Sequence, residues 1–193
     1  MSFVAPPTSA AWLHRDARTG FEVVYCAAAA DGHVLTGCTT AVEDGEPWIV
    51  SYEIEVSADW KTRSALIRGR SGSVSRTVVL DADGSGHWRI DGVAAPTLNG
   101  CLDVDLESSA LTNALPVHRL GLAIGERAAA PAAYVHAADL TVHRLEQDYV
   151  RIADQDTHQR YEYAAPSFGF GARLIYDAAG LVLDYPGIAV RAR

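Results

Sequence analysis

The sequence predicts one all-β domain over residues 1–193, folded as a large antiparallel, twisted β-roll or barrel-like sheet. Its clearest strand is Trp48–Val56, where aromatic and aliphatic side chains alternate with serine and glutamate at a period of two. Asp-Gly pairs at positions 31–32, 44–45 and 91–92 supply the turns that hairpins require. About a dozen short strands joined in this way form a sheet so wide that it must curl into a barrel or fold over into two layers.

The first half of the chain carries strand signals on both sides of Trp48–Val56. Each is a short run rich in β-branched, aromatic or alternating apolar residues, and most end at a turn. In chain order, these further strands are Phe21–Ala27, His33–Thr40, Ser64–Arg70, Val74–Leu80 and His87–Ile90.

The second half carries weaker signals of the same kind. The predicted strands are Leu102–Leu106, Arg119–Ile124, Leu140–Gln147, Gln159–Ala164, Phe170–Tyr176 and Leu181–Asp184. Only two segments are candidates for helix: a short turn around Ser108–Leu115, and the alanine-rich Gly125–Tyr134, which Pro131 interrupts and which is equally compatible with a loop.

Two hairpin sequences resemble each other. Arg76–Asp81 followed by Trp88–Gly92 has the same strand, turn and strand order as Ala172–Asp177 followed by Val182–Gly187. An internal duplication would explain this likeness and would place a cleft between the two halves. The alternative is that any two hairpins look alike.

Composition excludes several classes of partner. The formal charge is -8 and the 16 basic residues are scattered, so we expect neither a nucleic-acid surface nor attraction to anionic membranes. Nearly all basic residues are arginine and alanine is abundant, which is typical of a GC-rich bacterial genome. The N-terminal residues lack the pattern of a signal peptide, and no run of eighteen apolar residues occurs. We therefore expect a cytoplasmic protein without membrane insertion.

Sequence motifs for metals and cofactors are missing. The three cysteines form no C-x-x-C pair, and the seven histidines show no i, i+2 or i, i+4 pairing. A nucleophile elbow, a dinucleotide fingerprint and a phosphate loop are likewise absent. We expect no metal, no cofactor and no catalytic motif.

The stretch from Gly100 to Leu120 is the least generic part of the sequence. If it begins as a strand, Asp103, Asp105 and Glu107 project from one face. Three carboxylates on one face repel each other unless they meet water, a cation, an arginine or ligand hydroxyls. His118 and Arg119 follow as plausible partners.

Three interpretations of this stretch remain open. It could form a polar ligand pocket in which Asp103, Asp105 and Asn113 bind hydroxyls while Arg119 balances charge. It could be an acidic strand edge whose Asp–Arg pair only holds the Thr112-Asn113 turn in place. An enzyme would use one carboxylate as general acid and another as base or nucleophile.

Aromatic residues are spread along the predicted strands. They could line an apolar cavity or stack on sugar rings, although ordinary core packing explains most of them. The set is Trp12, Trp48, Trp60, Trp88, Tyr149, Tyr161, Tyr163 and Tyr185.

Several motifs together resemble a known family. They are Gly100-Cys101-x-Asp103-x-Asp105, Thr112-Asn113-x-Leu115-Pro116-x-x-Arg119-Leu120, Gln147-x-Tyr149, Asp177-x-x-Gly180-Leu181-Val182-x-Asp184-Tyr185-Pro186-Gly187 and a late Arg191. In this order they are similar to the bacterial "putative glycolipid-binding" family, formerly a domain of unknown function. His118 departs from the pattern, since a second arginine is expected beside Arg119.

The resemblance implies a twisted β-roll, similar in outline to periplasmic lipoprotein carriers, with an apolar cavity for a lipid or glycolipid. With it, the expected ligand-binding residues are Asp103, Asp105, Asn113, Arg119, Gln147 and Tyr149. The leading hypothesis is non-enzymatic binding of a small amphipathic ligand. The alternatives are a hydrolase or isomerase that acts on a sugar or lipid-like substrate through Asp103 or Asp105, and a protein-interaction or structural module. The sequence leaves the oligomeric state open.

Overall fold

A computed structural model of the chain describes residues 3–192. Strands dominate it, with one short α-helix, α1 (Ala114–Leu120), and three single-turn 3-10 helices. The strands are β1 (Ser9–His14), β2 (Thr19–Ala29), β3 (Gly32–Glu43), β4 (Glu46–Ser57), β5 (Thr62–Ser71), β6 (Val74–Ala82), β7 (Trp88–Ile90), β8 (Val93–Ala94), β9 (Asp103–Leu106), β10 (Arg127–Ala129), β11 (Ala132–Val135), β12 (Val142–Leu145), β13 (Asp148–Gln155), β14 (His158–Ala165), β15 (Phe170–Tyr176), β16 (Val182–Tyr185) and β17 (Ala189–Arg191).

Fourteen strands form one antiparallel sheet in the order β10-β13-β14-β15-β16-β17-β1-β2-β3-β4-β5-β6-β7-β8. The two ends of the chain meet in its middle, where β17 pairs with β1 through Trp12 opposite Arg191. Within residues 3–192, β10 and β8 at the two ends of this order do not pair with each other, so the sheet stays open. The prediction of a large antiparallel sheet is confirmed. Among the same residues, no helix has the length and apolar character needed to span a bilayer.

The period-two pattern determines which face of this sheet is inside. In β4, Val50, Tyr52 and Ile54 are buried while Ile49, Glu53 and Glu55 face solvent. The inner face of β1–β7 packs into one hydrophobic cluster, and β14–β16 contribute to a second. Both clusters include residues of the central part of the chain, which therefore lies between the two halves of the sheet.

That central part forms a second, three-stranded sheet in the order β12-β11-β9, with β9 and β11 parallel. All residues of β9 and β11 are buried. Side chains of the large sheet bind its backbone: Thr39 donates to the Ser108 carbonyl, Trp88 to the Cys101 carbonyl and Tyr176 to the Asn113 carbonyl. The interior of the curved sheet is thus filled largely by the chain's own central segment.

Two local predictions for the central segment are wrong. The predicted strand Arg119–Ile124 is the end of α1 followed by irregular chain, because Pro116 lies in the first helical turn, where its missing N–H needs no partner, and Gly121 ends the helix in the left-handed conformation. The predicted helix or loop Gly125–Tyr134 contains β10 and the start of β11. Its alanines fit there because small side chains allow β11 to be buried between β9 and β12.

The two similar hairpins lie in the large sheet on opposite sides of the central β17–β1 pair. Val74–Ala82 pairs with Trp88–Ile90, and Phe170–Tyr176 pairs with Val182–Tyr185. The internal duplication remains a hypothesis.

Candidate functional site

A cavity of about 230 Å³ lies between the central segment and the C-terminal strands. Beside it stands Arg18, which precedes β2. Its lining is Arg18, Asp105, Leu106, Glu107, Ser109, Asn113, Tyr134, Leu145, Tyr163, Ala165, Phe168, Phe170, Tyr185 and Ile188.

The lining has an aromatic part and a polar part. Tyr134, Tyr163 and Tyr185 are almost fully buried, whereas Phe168 is 52% exposed, which identifies the end of the cavity that reaches the surface. Burial raises the pKa of all three tyrosines, so their phenols stay neutral. The polar part is contributed mainly by β9 and the residues that follow it. The cavity is therefore amphipathic.

Asp105 lies in β9 and contributes a buried carboxyl to the polar part. Thr112 donates to its Oδ1 at 2.8 Å, and Gln147 Nε2 donates to its Oδ2 at 2.5 Å. Burial raises the pKa of Asp105 to about 6, the two hydrogen bonds oppose that rise, and the charges of Asp103 and Glu107 add to it. Asp105 is thus a hydrogen-bond acceptor whose two donors, Thr112 and Gln147, are neutral and leave its negative charge without a cationic partner within residues 3–192.

Glu107, one residue beyond β9, contributes the second carboxyl. Its Oε2 accepts from the Ala137 backbone N–H at 2.8 Å, and His136 Nδ1 lies 3.4 Å from the same oxygen. Its Oε1 lies 3.8 Å from Arg18 Nη2. These contacts hold the carboxylate at the cavity while leaving Oε1 without a close hydrogen-bond donor among residues 3–192.

Arg18 is the cation of the site, and it is 8% exposed. Its Nη1 donates to the Glu107 carbonyl at 3.2 Å, its Nη2 lies 3.6 Å from Glu43, and its guanidinium stacks over Trp48 at 5.2 Å. The buried Nε–H has no hydrogen-bond partner among the described residues. A buried donor without a partner is costly, and this atom has almost no accessible surface, so it lies behind the cavity lining and does not face a ligand.

Asn113 sits at the junction of the cavity, α1 and the C-terminal strands. Its Oδ1 accepts from the Tyr149 hydroxyl at 3.1 Å, and its carbonyl accepts from Tyr176 at 3.1 Å. Within residues 3–192, the side-chain nitrogen makes no hydrogen bond in this arrangement, which leaves it available as a donor to the cavity.

The structure separates the six residues expected from the sequence into three groups. Asp105 and Asn113 line the cavity. Gln147 and Tyr149 do not line it, but they bind Asp105 and Asn113 respectively and orient them; Gln147 Nε2 also donates to the Tyr163 hydroxyl at 3.1 Å.

Asp103 and Arg119 form the third group and do not line the cavity. Arg119 Nε and Nη2 donate to the two oxygens of Asp103 at 2.9 and 2.6 Å. Burial raises the pKa of Asp103, and Arg119 opposes this rise through hydrogen bonding and charge. The pair connects α1 to β9.

Of the other lining residues, some carry a signal in the sequence and others carry none. Glu107 continues the period-two acidic row by one step, and Tyr163 and Tyr185 belong to the aromatic set noted above. Arg18 carries no local signal, because its partners Glu43, Trp48 and Glu107 are distant in the sequence and meet it only in the folded chain. Phe168 lies in the 3-10 turn Pro166–Phe168, outside any predicted strand.

The described residues offer no set of side chains for a metal site. Over residues 3–192, no group of three or more His, Cys, Asp or Glu side chains is arranged to hold a metal ion.

Fold and site together define an all-β protein in which an open, curved sheet surrounds a central segment beside a small amphipathic cavity. The chain belongs to the family described as "Putative glycolipid-binding", whose model matches residues 9–191.

The solved structures that are similar to the chain include the following two. A DUF1089 family protein from Pseudomonas aeruginosa is 34% identical, with a TM-score of 0.76 over 97% of this chain and 94% of that one. A beta-barrel-like protein of the domain of unknown function DUF1849 from Brucella abortus is 12% identical, with a TM-score of 0.53 over 98% and 96%; it shares the fold alone. A comparison with curated proteins finds no match.

Proposed function

We propose that the protein binds a small amphipathic molecule, a lipid or glycolipid-like ligand, without changing it. One observation carries the proposal: the cavity joins an aromatic wall to a buried polar end that holds Asp105, Asn113 and Arg18. Such a combination suits a ligand with a polar head and an apolar remainder. The description of the family supports the same class of ligand.

The size of the cavity limits how much of the ligand enters. Pockets for drug-sized ligands usually span about 300–1,000 Å³, so about 230 Å³ accommodates a head but not a whole lipid. The exposed Phe168 and the half-buried Phe170 stand at the outer part of the lining, where an acyl chain would leave the cavity. The bacterial origin and the cytoplasmic location expected from the sequence remain predictions.

Native mass spectrometry of the protein purified from its own host tests this proposal, followed by organic extraction and lipid analysis. We expect a bound amphiphile on the wild-type protein and its loss from Ala165→Phe, because Ala165 is buried in the lining and a phenyl ring there fills the cavity. Ala164→Phe is the matched control, since the side chain of Ala164 lies on the opposite face of β14 from that of Ala165. Thermal unfolding verifies that both variants fold, and Ala165→Val provides a milder substitution.

Absence of any lipid from the wild-type extract, together with an unchanged melting temperature across a glycolipid panel, would refute the proposal. Equal lipid content in Ala165→Phe and Ala164→Phe would refute the assignment of the cavity.

A second candidate is hydrolysis of a glycosidic bond, favoured by the presence of two carboxyl groups, Asp105 and Glu107, in one cavity. The raised pKa of Asp105 suits a general acid. Asp103, the other carboxylate considered for such a role, is bound by Arg119 and lies outside the lining. Release of nitrophenol from p-nitrophenyl glycosides, abolished in Asp105→Asn, would favour the enzyme; no release from a full panel would favour binding alone.

A further inference from the structure

The polar end of the cavity has an excess of negative charge. Asp105 and Glu107 line it together with one cation, Arg18. That cation is already shared, because Nη2 lies 3.6 Å from Glu43 and 3.8 Å from Glu107. A phosphate, sulfate or carboxylate placed here would meet two carboxylates in a site of low dielectric, where like charges repel strongly.

The same end has both donors and acceptors to offer. The Arg18 guanidinium belongs to the lining, and the Asn113 side-chain nitrogen makes no hydrogen bond among residues 3–192, since Tyr149 binds Oδ1. Asp105 uses one hydrogen bond on each oxygen, and a carboxylate oxygen accepts more than one. A hydroxyl can donate to a carboxylate while it accepts from a guanidinium or amide, whereas an anionic oxygen can only accept.

The space and the walls add a limit on size. About 230 Å³ lies below the range of about 300–1,000 Å³ that is usual for pockets of drug-sized ligands, which favours a head of one sugar ring over a larger head. The ring centroids of Tyr163, Phe170 and Tyr185 lie 6.0–6.2 Å apart with the ring planes tilted by 56–80°, so the three rings form an angled aromatic surface. The C–H face of a sugar packs against such a surface.

We propose that the polar end of the cavity selects an uncharged polyhydroxyl head of one sugar ring and rejects anionic heads. In this arrangement, ligand hydroxyls donate to Asp105 and Glu107 and accept from Asn113 and from the Arg18 guanidinium. The inference rests on the proposed function and states which headgroup the same site takes.

Three probes with the same tail test it: n-octyl β-D-glucoside, n-octyl β-D-maltoside and octyl sulfate. Their affinities are measured by calorimetry below the concentration at which each forms micelles. We expect the glucoside to bind at least tenfold more tightly than the sulfate, because the glucoside head is uncharged and able to donate, whereas the sulfate head is neither. The maltoside, with its second ring, should bind at least tenfold more weakly than the glucoside.

Two variants address the residues. Glu107→Gln removes one negative charge with little change in shape, so octyl sulfate should bind at least tenfold more tightly than it does to the wild-type protein. Glu146→Gln is the control, since it changes the net charge of the protein equally at an exposed side chain outside the lining. Arg18→Lys keeps one positive charge near Glu43 but replaces the planar guanidinium, with its several donors, by a single ammonium, so glucoside affinity should fall at least tenfold.

The outcomes separate the two proposals. If octyl sulfate binds as tightly as the glucoside, amphiphile binding stands and the selection of an uncharged head is wrong. If the maltoside binds as tightly as the glucoside, the limit to one ring is wrong. If none of the three probes binds, the proposed function itself fails.

Discussion

Arg119 holds both carboxylate oxygens of Asp103, through Nε to Oδ1 at 2.9 Å and Nη2 to Oδ2 at 2.6 Å. The Arg119 side chain is 11% exposed and that of Asp103 is 2% exposed, so the pair is almost fully excluded from solvent. It joins α1 to β9, and β9 also carries Asp105 into the cavity. The pair therefore has a structural role that is separable from ligand contact.

Removal of Arg119 should destabilise the protein strongly. Arg119→Met leaves Asp103 buried without its partner, which costs about 3–5 kcal/mol in the free energy of unfolding. The double variant Asp103→Leu/Arg119→Met should recover most of this loss, because no unpaired charge remains. Urea unfolding of the two variants measures both changes. A loss below about 1 kcal/mol in the single variant would contradict the buried pair.

Asp105 should make the stability of the fold depend on pH. Its carboxyl titrates near 3.8 when exposed, and burial raises its pKa to about 6 in the folded protein. Between these values the folded state binds more protons, so the contribution of Asp105 to the free energy of unfolding falls as pH rises. The total decrease is on the order of 3 kcal/mol.

The comparison of wild type with Asp105→Asn isolates this effect. The stability of the variant relative to wild type should rise from about pH 4 to about pH 6 and stay constant above. Burial lowers the pKa of His14 and of His118 to about 4, and these groups give the opposite trend in both proteins, so they cancel in the difference. A difference that does not vary over this window would contradict the raised pKa of Asp105.

His118 should stay neutral well below the usual range of histidine. Its ring stacks on Trp60 at 3.7 Å and contacts Phe3, and its Nε2 lies 2.9 Å from the Ala179 carbonyl. Burial lowers its pKa to about 4, although the Ala179 carbonyl opposes this. A proton NMR titration of the histidine Cε1–H signals, with His118→Gln for assignment, measures it. Titration of that signal near pH 6.5 would be the contrary result.

Gly37 should tolerate no side chain. A Cβ built there would lie 2.2 Å from Cζ of Tyr52. The Tyr52 hydroxyl donates to buried Glu22 and lies near Ser109, so the ring cannot move away without breaking these bonds. Gly37→Ala should lose about 1–3 kcal/mol in the free energy of unfolding.

Gly171→Ala is the matched control for Gly37→Ala. Its Cβ would meet only the Tyr163 carbonyl at 3.4 Å, an ordinary contact. This variant should be neutral or stabilised by up to about 1 kcal/mol. Equal thermal melting temperatures for the two alanine variants would show that the Tyr52 ring can shift to make room for a Cβ at position 37.

Local pattern predicts a strand well when burial follows the alternation of apolar and polar residues, as in β4. It fails in β13, where no strand was predicted, because the alternation is inverted. Arg151 points inward, 2% exposed, bound to Asp154 and stacked on Tyr161, while its neighbours Val150 and Ile152 are only partly buried. A buried cation with its own partners resembles a solvent-facing residue in the sequence.

In the candidate site, too, local sequence pattern predicts some features and misses others. The acidic row of β9 is visible in the sequence, and its partners Thr112 and Arg119 lie within sixteen residues of it. Which carboxylate faces the cavity is not visible, because Asp103 and Asp105 have the same local pattern. The position of Arg119 on α1 decides it, by binding Asp103 and leaving Asp105 at the lining.

The sequence by itself determined the all-β class, most strands and the family, because alternation, turn residues and local motifs are encoded over short distances. Only the tertiary structure decided where the cavity lies and what charge it carries. The packing of the central segment against the large sheet brings Glu107 beside Arg18, 89 residues away in the chain. The central segment also fills the curved sheet and reduces its interior to a small amphipathic cavity. The Arg18–Glu107 contact and the small size of the cavity both depend on long-range packing, which the pattern of neighbouring residues in the sequence does not reveal.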